Sequence, residues 1–259
     1  MVEMVGYPRF GVLLARLASH RGLSLGDLAH LSEVPEAKLQ EVYDGAEPGR
    51  ELLLRLAPTL GWHEVDVFAL AAMPAPDELT PLDADAGWWV ASLINQARCL
   101  PAELIGELRL RARLLPEQPR LRPMPPPKPY QQYEPSFGAA LLRMLAYRNL
   151  GWVNSAKCLL CLTGLGLAGS TIGMIGRGVK ELTPDLLARF ATVLGIASSD
   201  LSAVTGIELP DQPPPAHPAA KDLAELIWDA RRLISNQVRH LHDEAKSLRG
   251  ELLDPTPPL

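Results

Sequence analysis

The stretch Ala168-Gly169-Ser170-Thr171-Ile172-Gly173-Met174-Ile175-Gly176-Arg177-Gly178 has the spacing of one short amphipathic helix. Ile172 and Ile175, three residues apart, share a helical face and are predicted to anchor this helix in a core. The opposite face is predicted to point outward and to carry Ser170, Thr171, Gly173, Met174 and Arg177. Gly178 is expected to end the helix in left-handed backbone, which glycine adopts without strain.

The composition favours helices throughout the chain. Leucine and alanine dominate the 259 residues, aromatic residues make up only 5%, and β-branched residues are sparse, as is typical of helical proteins. The 25 prolines are clustered, so they indicate linkers between helical regions. The sequence therefore predicts an all-α protein.

Features that bear on the cellular compartment favour the cytoplasm. No apolar run approaches the roughly 18 residues that a bilayer-spanning helix requires, and residues 1–20 lack the pattern of a signal peptide. Cys99, Cys158 and Cys161 are an odd-numbered set that fits reduced thiols rather than a disulfide framework. We therefore expect a cytoplasmic protein.

A pattern of five short helices occurs twice in the chain. In the first copy, Ser24 is expected to cap the second helix, with Asp27 completing a capping box. A tight turn at residues 33–35 then leads to the third helix, which makes this pair a helix-turn-helix. The pattern recurs 127 to 134 residues later, where Phe137-Gly138 repeats Phe10-Gly11. The second copy has about seven extra residues, most simply placed in residues 158–169.

The repeat divides the chain into seven segments. They are a first helix-turn-helix domain (1–79), a first helical arm (80–115), a Pro-rich linker (116–135), a second helix-turn-helix domain (136–209), a shorter Pro-rich linker (210–218), a second helical arm (219–253) and a tail (254–259). The arms have apolar residues three and four apart, which indicates a seam that packs on another helix. This spacing is equally compatible with two arrangements. The arms can be buried on the chain's own helix-turn-helix domain, or one arm can pair with another, within or between chains.

Both copies resemble the helix-turn-helix family of the lambda repressor and Cro, the XRE type. The first copy keeps Gly22-Leu23-Ser24, Leu28-Ala29, Val34 and Gly45; the second keeps Ser170-Thr171-Ile172, Ile175, Arg177-Gly178 and Leu194-Gly195. Together the two copies cover roughly 140 residues, without the arms. The resemblance implies two five-helix domains of this fold, each followed by a helical arm.

In this family the third helix enters the major groove of DNA and the start of the second helix contacts phosphate. Carried over to the second copy, the resemblance implies a DNA-contacting set made up of Asn154, Ser170, Thr171, Gly173, Met174, Arg177 and Lys180. Small hydroxyls and glycine permit close approach, and Met174 can touch a thymine methyl. The alternative is that this weakly polar helix packs against another subunit.

The first copy is a poorer candidate for DNA contact. Lys38 and Gln40 are its candidate residues, but Glu36 and Glu41 lie beside them, and carboxylates are repelled by phosphates. Residues 1–79 hold 6 basic and 12 acidic side chains, whereas residues 135–211 hold 6 and 5, in a chain of net charge −5. We therefore predict that the first copy is a degenerate, structural or protein-binding copy.

No motif in the sequence favours an enzyme. Cys158 and Cys161 have the spacing of a zinc or redox pair, but no second pair accompanies them. The glycine-rich residues 164–169 follow no predicted strand, so they are read as a turn rather than a dinucleotide motif. The expectation is a non-enzymatic protein without a cofactor or bound metal.

The sequence thus predicts a bacterial transcriptional regulator that binds double-stranded DNA and is nucleoid-associated when bound. Its arms are expected either to join two copies of the chain or to form an internal pseudo-dimer within one chain. The alternative is a protein-interaction regulator that holds a protein partner through its acidic first domain, its arms and the apolar pair Trp88-Trp89. An antitoxin-like or phage-type repressor shares the same DNA chemistry and is not separated by sequence.

Overall fold

The computed structural model describes residues 6–120, 125 and 128–253. Within these residues the secondary structure is helical and contains no strand, which confirms the all-α prediction. Fourteen α-helices lie in the described part of the chain: α1 (Phe10–His20), α2 (Leu25–Ser32), α3 (Glu36–Tyr43), α4 (Arg50–Thr59), α5 (Glu64–Leu70), α6 (Ala86–Ala97), α7 (Ala102–Leu114), α8 (Phe137–Tyr147), α9 (Trp152–Thr163), α10 (Gly169–Gly176), α11 (Pro184–Leu194), α12 (Ser198–Thr205), α13 (Ala220–Ala230) and α14 (Ser235–Leu253). Two 3₁₀ turns, Asp77–Leu79 and Pro129–Gln131, lie in the connections.

The helix ends follow local chemistry. The predicted capping box is present at α2, where the Asp27 amide donates to Ser24 Oγ and the Ser24 amide donates to Asp27 Oδ2. At α11 the Leu186 amide donates to Thr183 Oγ1, Pro184 lies in the first turn, and Gly195 ends the helix with a positive φ of 69°. Side-chain oxygens at the start and left-handed glycine at the end satisfy backbone groups that a helix leaves unpaired.

The helices follow one order twice. Helices α1 to α7 and α8 to α14 begin at positions that differ by 127 to 134 residues. The offset changes from 127 to 133 between the second and third helix of each series, because α9 has 12 residues where α2 has 8 and the following connection is also longer. The extra residues therefore lie where the sequence placed them, in the region 158–169.

A glycine in the first helix of each series permits a close helix crossing. A Cβ atom on Gly11 would lie 1.9 Å from the Val42 carbonyl oxygen of α3, and one on Gly138 would lie 2.2 Å from the Ile175 carbonyl oxygen of α10. Real Cβ atoms do not come so near to an oxygen. The repeated Phe-Gly pair in the sequence thus marks the point where the first and third helices touch.

The two series pack on each other reciprocally. Helix α1 contacts α12, and α8 contacts α5, so that the first helix of each series lies on the fifth helix of the other. Arg21 pairs with Asp200 at one contact and Arg148 pairs with Asp66 at the other. The buried apolar side chains of both series form one continuous cluster.

The arm helices also pack on each other reciprocally, within the same chain. Helix α6 lies along α14, and α7 lies along α13. Arg109 of α7 bonds to Asp222, Glu225 and Asp229 of α13, at 3.1, 2.9 and 3.3 Å. The structure thus has arm-on-arm pairing within the chain, and the arms also pack on the other helices, α6 on α9 and α13 on α11.

The two Pro-rich connections contain no α-helix in the part of the chain that the structure describes. The described residues of 116–128 and residues 206–217 contain no helix; residues 121–124, 126–127 and the tail 254–259 lie outside the described residues. None of the helices in the described ranges has both the length and the apolar character needed to cross a bilayer.

Candidate nucleic-acid interface

Helix α10 presents most, but not all, of the predicted outward residues. Ile172 and Ile175 are buried, at 0% and 1% exposure, as predicted. Ser170 and Met174 are exposed and Thr171 is half-buried. Gly178 follows the helix with a positive φ of 69°, so the predicted glycine stop is confirmed.

Two cationic residues lie just beyond the end of α10. Arg177 is exposed, and its guanidinium carbon is 5.5 Å from the centre of the Trp152 ring. Lys180 is half-buried, and its backbone amide donates to the Met174 carbonyl at 3.2 Å, which holds the lysine beside the end of the helix. Two cations therefore follow the Ser170, Thr171 and Met174 surface, with the exposed Glu181 beside Lys180.

The predicted outward position of Gly173 is wrong. Gly173 is buried, because the indole of Trp152, the first residue of α9, covers it. A Cβ atom on Gly173 would lie 2.5 Å from Cη2 of that ring. The glycine thus permits contact between α9 and α10 and is not available to a ligand.

The linker covers another part of α10. Tyr133 approaches Gly176 closely, since a Cβ atom on that glycine would lie 2.9 Å from the tyrosine ring. The Tyr133 hydroxyl also accepts a hydrogen bond of 2.6 Å from Nε1 of Trp152. Sequence reasoning missed both aromatic residues, although Trp152 occupies the place where the first series has Leu25.

The amino end of α9 has no side-chain cap. Gly151 occupies the N-cap position without a side-chain hydrogen bond, and Asn154 is half-buried in the first turn. A helix start carries unpaired amides and a partial positive charge, which together attract anions. This end of α9 is therefore suited to a phosphate or carboxylate group.

The corresponding end of α2 in the first series is already occupied by a carboxylate. Asp27 accepts hydrogen bonds from the Ser24 hydroxyl and amide, at 2.6 and 2.8 Å, and these bonds lower its pKa. Asp27 thus remains negatively charged in the place where a phosphate would approach. The two helix starts, equivalent by the repeat, have opposite electrostatic character.

The third helix of the first series has few cations. Lys38 and Gln40 are exposed, but Nε2 of Gln40 donates to Oδ1 of Asp44 at 2.9 Å. Glu36 and Glu41 are exposed on the same short helix. This surface favours a cationic partner over a polyanion.

The cysteine pair that the sequence singled out is buried. Cys158 and Cys161 are free thiols, and burial raises the pKa of both. No group of three or more potential metal ligands occurs among the described residues.

Comparison of this chain with protein-family models, with curated proteins and with solved structures finds no match.

Proposed function

We propose that this chain is a DNA-binding transcriptional regulator that contacts double-stranded DNA through α9 and α10. The observation that carries the proposal is the contrast between the two helix starts. The start of α9 is uncapped and lies next to Arg177, whereas the start of α2 is filled by Asp27. The net charges of the two regions, read from the sequence, favour the same assignment.

In this proposal the first five helices of each series form a helix-turn-helix domain of the lambda-repressor type. Helices α9 and α10 are the helix-turn-helix pair of the second domain, and α2 and α3 are the pair of the first. The reciprocal contacts of α1 with α12 and of α5 with α8 support an internal pseudo-dimer, in which one domain reads DNA and the other holds it in place.

The expected contacts divide into two kinds. Ser170 and Thr171 offer hydroxyl groups to base edges in the major groove, and Met174 offers an apolar contact for a thymine methyl. Asn154, Arg177, Lys180 and the first amides of α9 bind phosphates, which position the helix without reading sequence. Gly173 has no part in this set because Trp152 covers it.

The test is the fluorescence anisotropy of labelled DNA from the region upstream of the protein's own coding sequence, measured over a series of salt concentrations against a scrambled duplex. Replacing Arg177 and Lys180 by alanine is expected to weaken binding and to reduce the slope of log K against log salt by roughly 1.8, because two phosphate contacts are lost. The matched control replaces Lys38 and Gln40 of the first series and is expected to leave the slope unchanged. Equal effects of the two double variants, or unchanged binding by Arg177→Ala with Lys180→Ala, would refute the role of α10.

A protein-interaction regulator is the second candidate, and two surfaces favour it. Glu36 and Glu41 make the α3 surface acidic, and Trp88 at the start of the first arm is 50% exposed. Lys157 places its ammonium group 5.6 Å from the Trp88 ring, and Leu160 on the same helix is 51% exposed. These surfaces suit a partner with a basic patch and an apolar patch.

This candidate predicts a stoichiometric protein partner in native purification. The partner is expected to be lost when Glu36 and Glu41 are both replaced by lysine, while DNA binding by α10 is unaffected. Recovery of DNA or of the chain alone, from both the wild type and the charge-reversed variant, would contradict it.

A further inference from the structure

A cleft of about 700 Å³ lies between the two series and the linker. Its walls are residues 72–74 after α5, the end of α8 with the following turn, the first turn of α9, and linker residues around Tyr133. We propose that this cleft binds a small organic anion with an aromatic body. The cleft does not include the outward face of α10, although it shares Asn154 and the start of α9 with the proposed DNA surface. The proposal does not depend on DNA binding.

The repeat explains why one arginine in the cleft is available. Arg16 of α1 and Arg143 of α8 occupy equivalent positions, 127 residues apart. Arg16 Nη1 donates to the Val204 carbonyl of α12 at 3.1 Å. The equivalent carbonyl in α5 is that of Leu70, and there the Tyr7 hydroxyl is the donor, at 2.6 Å. Tyr7 has therefore taken the bond that the repeat would assign to Arg143.

Arg143 consequently faces the cleft with little compensation for its charge. It is half-buried, and within the described ranges it makes one long hydrogen bond, of 3.5 Å to the Tyr133 carbonyl, and no ion pair. A guanidinium in a partly buried place without a carboxylate is a strong binding group for an anion.

The other charged groups that line the cleft also make it positive. Lys128 is a second cation in the walls, and no aspartate or glutamate is among the described lining residues. The uncapped start of α9, at Gly151 and Trp152, also borders the cleft and adds its partial positive charge. An anion in the cleft would thus be attracted from several sides.

The rest of the lining suits a flat, largely apolar body. Tyr133, Tyr147 and Trp152 contribute aromatic rings, and Leu142 and Leu150 contribute aliphatic surface. The volume lies in the range of pockets for small organic ligands, in which apolar walls supply affinity and a few polar groups fix orientation. An aromatic carboxylate, sulfonate or phosphate meets both requirements.

The test uses two dyes that differ in one charged group. 1-Anilinonaphthalene-8-sulfonate is an aromatic anion, and N-phenyl-1-naphthylamine has the same aromatic body without the sulfonate; both increase in fluorescence when bound. The full-length chain, without DNA, is titrated with each dye. The variants are Arg143→Gln, its equivalent Arg16→Gln as the matched control, and Ala146→Trp, which fills the cleft from an exposed position in its wall. Thermal denaturation checks that each variant is folded.

We expect saturable binding of the anionic dye with one site per chain. Arg143→Gln should raise its dissociation constant at least about tenfold, which corresponds to the loss of one charge-assisted bond. The same change should leave the uncharged dye unaffected, Arg16→Gln should affect neither dye, and Ala146→Trp should weaken both. Absence of saturable binding by the wild type, equal effects of Arg143→Gln and Arg16→Gln, or unchanged binding by Ala146→Trp would each overturn the proposal.

Discussion

Arg148, which directly follows α8, and Asp66 of α5 form a fully buried, two-pronged ion pair. Nη1 lies 2.6 Å from Oδ1 and Nη2 lies 2.8 Å from Oδ2, and both side chains are 0% exposed. Arg148 also donates to the carbonyls of Met144 and Leu194, at 3.0 and 2.7 Å. A pair buried to this degree joins the two series at one fixed geometry, because any displacement would leave a charge without a partner.

Removal of Asp66 should be costly. Asp66→Ala leaves the Arg148 guanidinium buried without a carboxylate, and the free energy of unfolding is expected to fall by about 3–5 kcal/mol. The equivalent change, Asp200→Ala, should cost less, because its partner Arg21 is 24% exposed and can be hydrated. Unfolding in guanidinium chloride measures both changes. Equal losses would show that burial of the Arg148 pair has no special effect.

Alanine at the helix-crossing glycines should destabilise the fold. Gly11→Ala and Gly138→Ala each bring a methyl group against a backbone carbonyl of the third helix, and we expect each to cost at least about 2 kcal/mol of unfolding free energy. Gly106 of α7 is an exposed helical glycine with open space around it. Gly106→Ala should therefore stabilise the chain by roughly 0.5–1 kcal/mol. A neutral result for Gly11→Ala would mean that α1 and α3 can separate without loss.

Burial of His63 should make stability depend on pH. The ring stacks on Trp228 with 3.4 Å between centroids, and burial, with the charges of Arg148 and Arg231, lowers the pKa of His63 to about 3. Between about pH 6.5 and 3 the unfolded chain binds a proton that the folded chain does not, so stability is retained above this window and lost as the pH falls through it. The contribution is at most about 1.4 kcal/mol per pH unit.

Urea unfolding of the wild type and of His63→Phe, compared between pH 7 and pH 5, measures this contribution. The phenylalanine variant keeps an aromatic ring against Trp228 and should lose part of the pH dependence. His30→Gln, at an exposed residue, is the control and should retain it. A wild-type slope equal to that of His63→Phe would contradict the prediction.

The three thiols should differ in reactivity. Cys99 is exposed, whereas Cys158 and Cys161 are buried, and burial raises the pKa of both buried thiols. Because the thiolate is the reactive species, a disulfide reagent such as dithiobis(nitrobenzoic acid) should modify Cys99 rapidly in the folded chain and the other two only after denaturation. Cys99→Ser should abolish the fast phase. Rapid modification of that variant would mean that α9 opens readily.

The parts of the candidate interface that sequence predicted are those fixed within one helix. The spacing of Ile172 and Ile175 determined which side of α10 is buried, and Gly178 determined where the helix stops. Gly173 was wrongly predicted to point outward, because the ring that covers it belongs to Trp152 of another helix. The periodicity of one helix carries no information about side chains that pack on it from another. Arg143 was missed for a related reason: its availability depends on Tyr7, which is 136 positions away in the sequence.

The sequence by itself determined the all-α class, the duplicated order of helices, the cap at Ser24, and the place of the extra residues. These features depend on hydrogen bonds and apolar spacing within a few residues of the chain, so a linear reading is sufficient. The tertiary structure alone decided that α1 lies on α12 and α8 on α5, that the arms pair with each other, and that Arg148 and Asp66 meet in the core. An apolar face shows that a helix must pack against another helix, but several helices of the chain have an apolar face that could pack there. The choice among them depends on which arrangement fills the core and satisfies every buried charge at once.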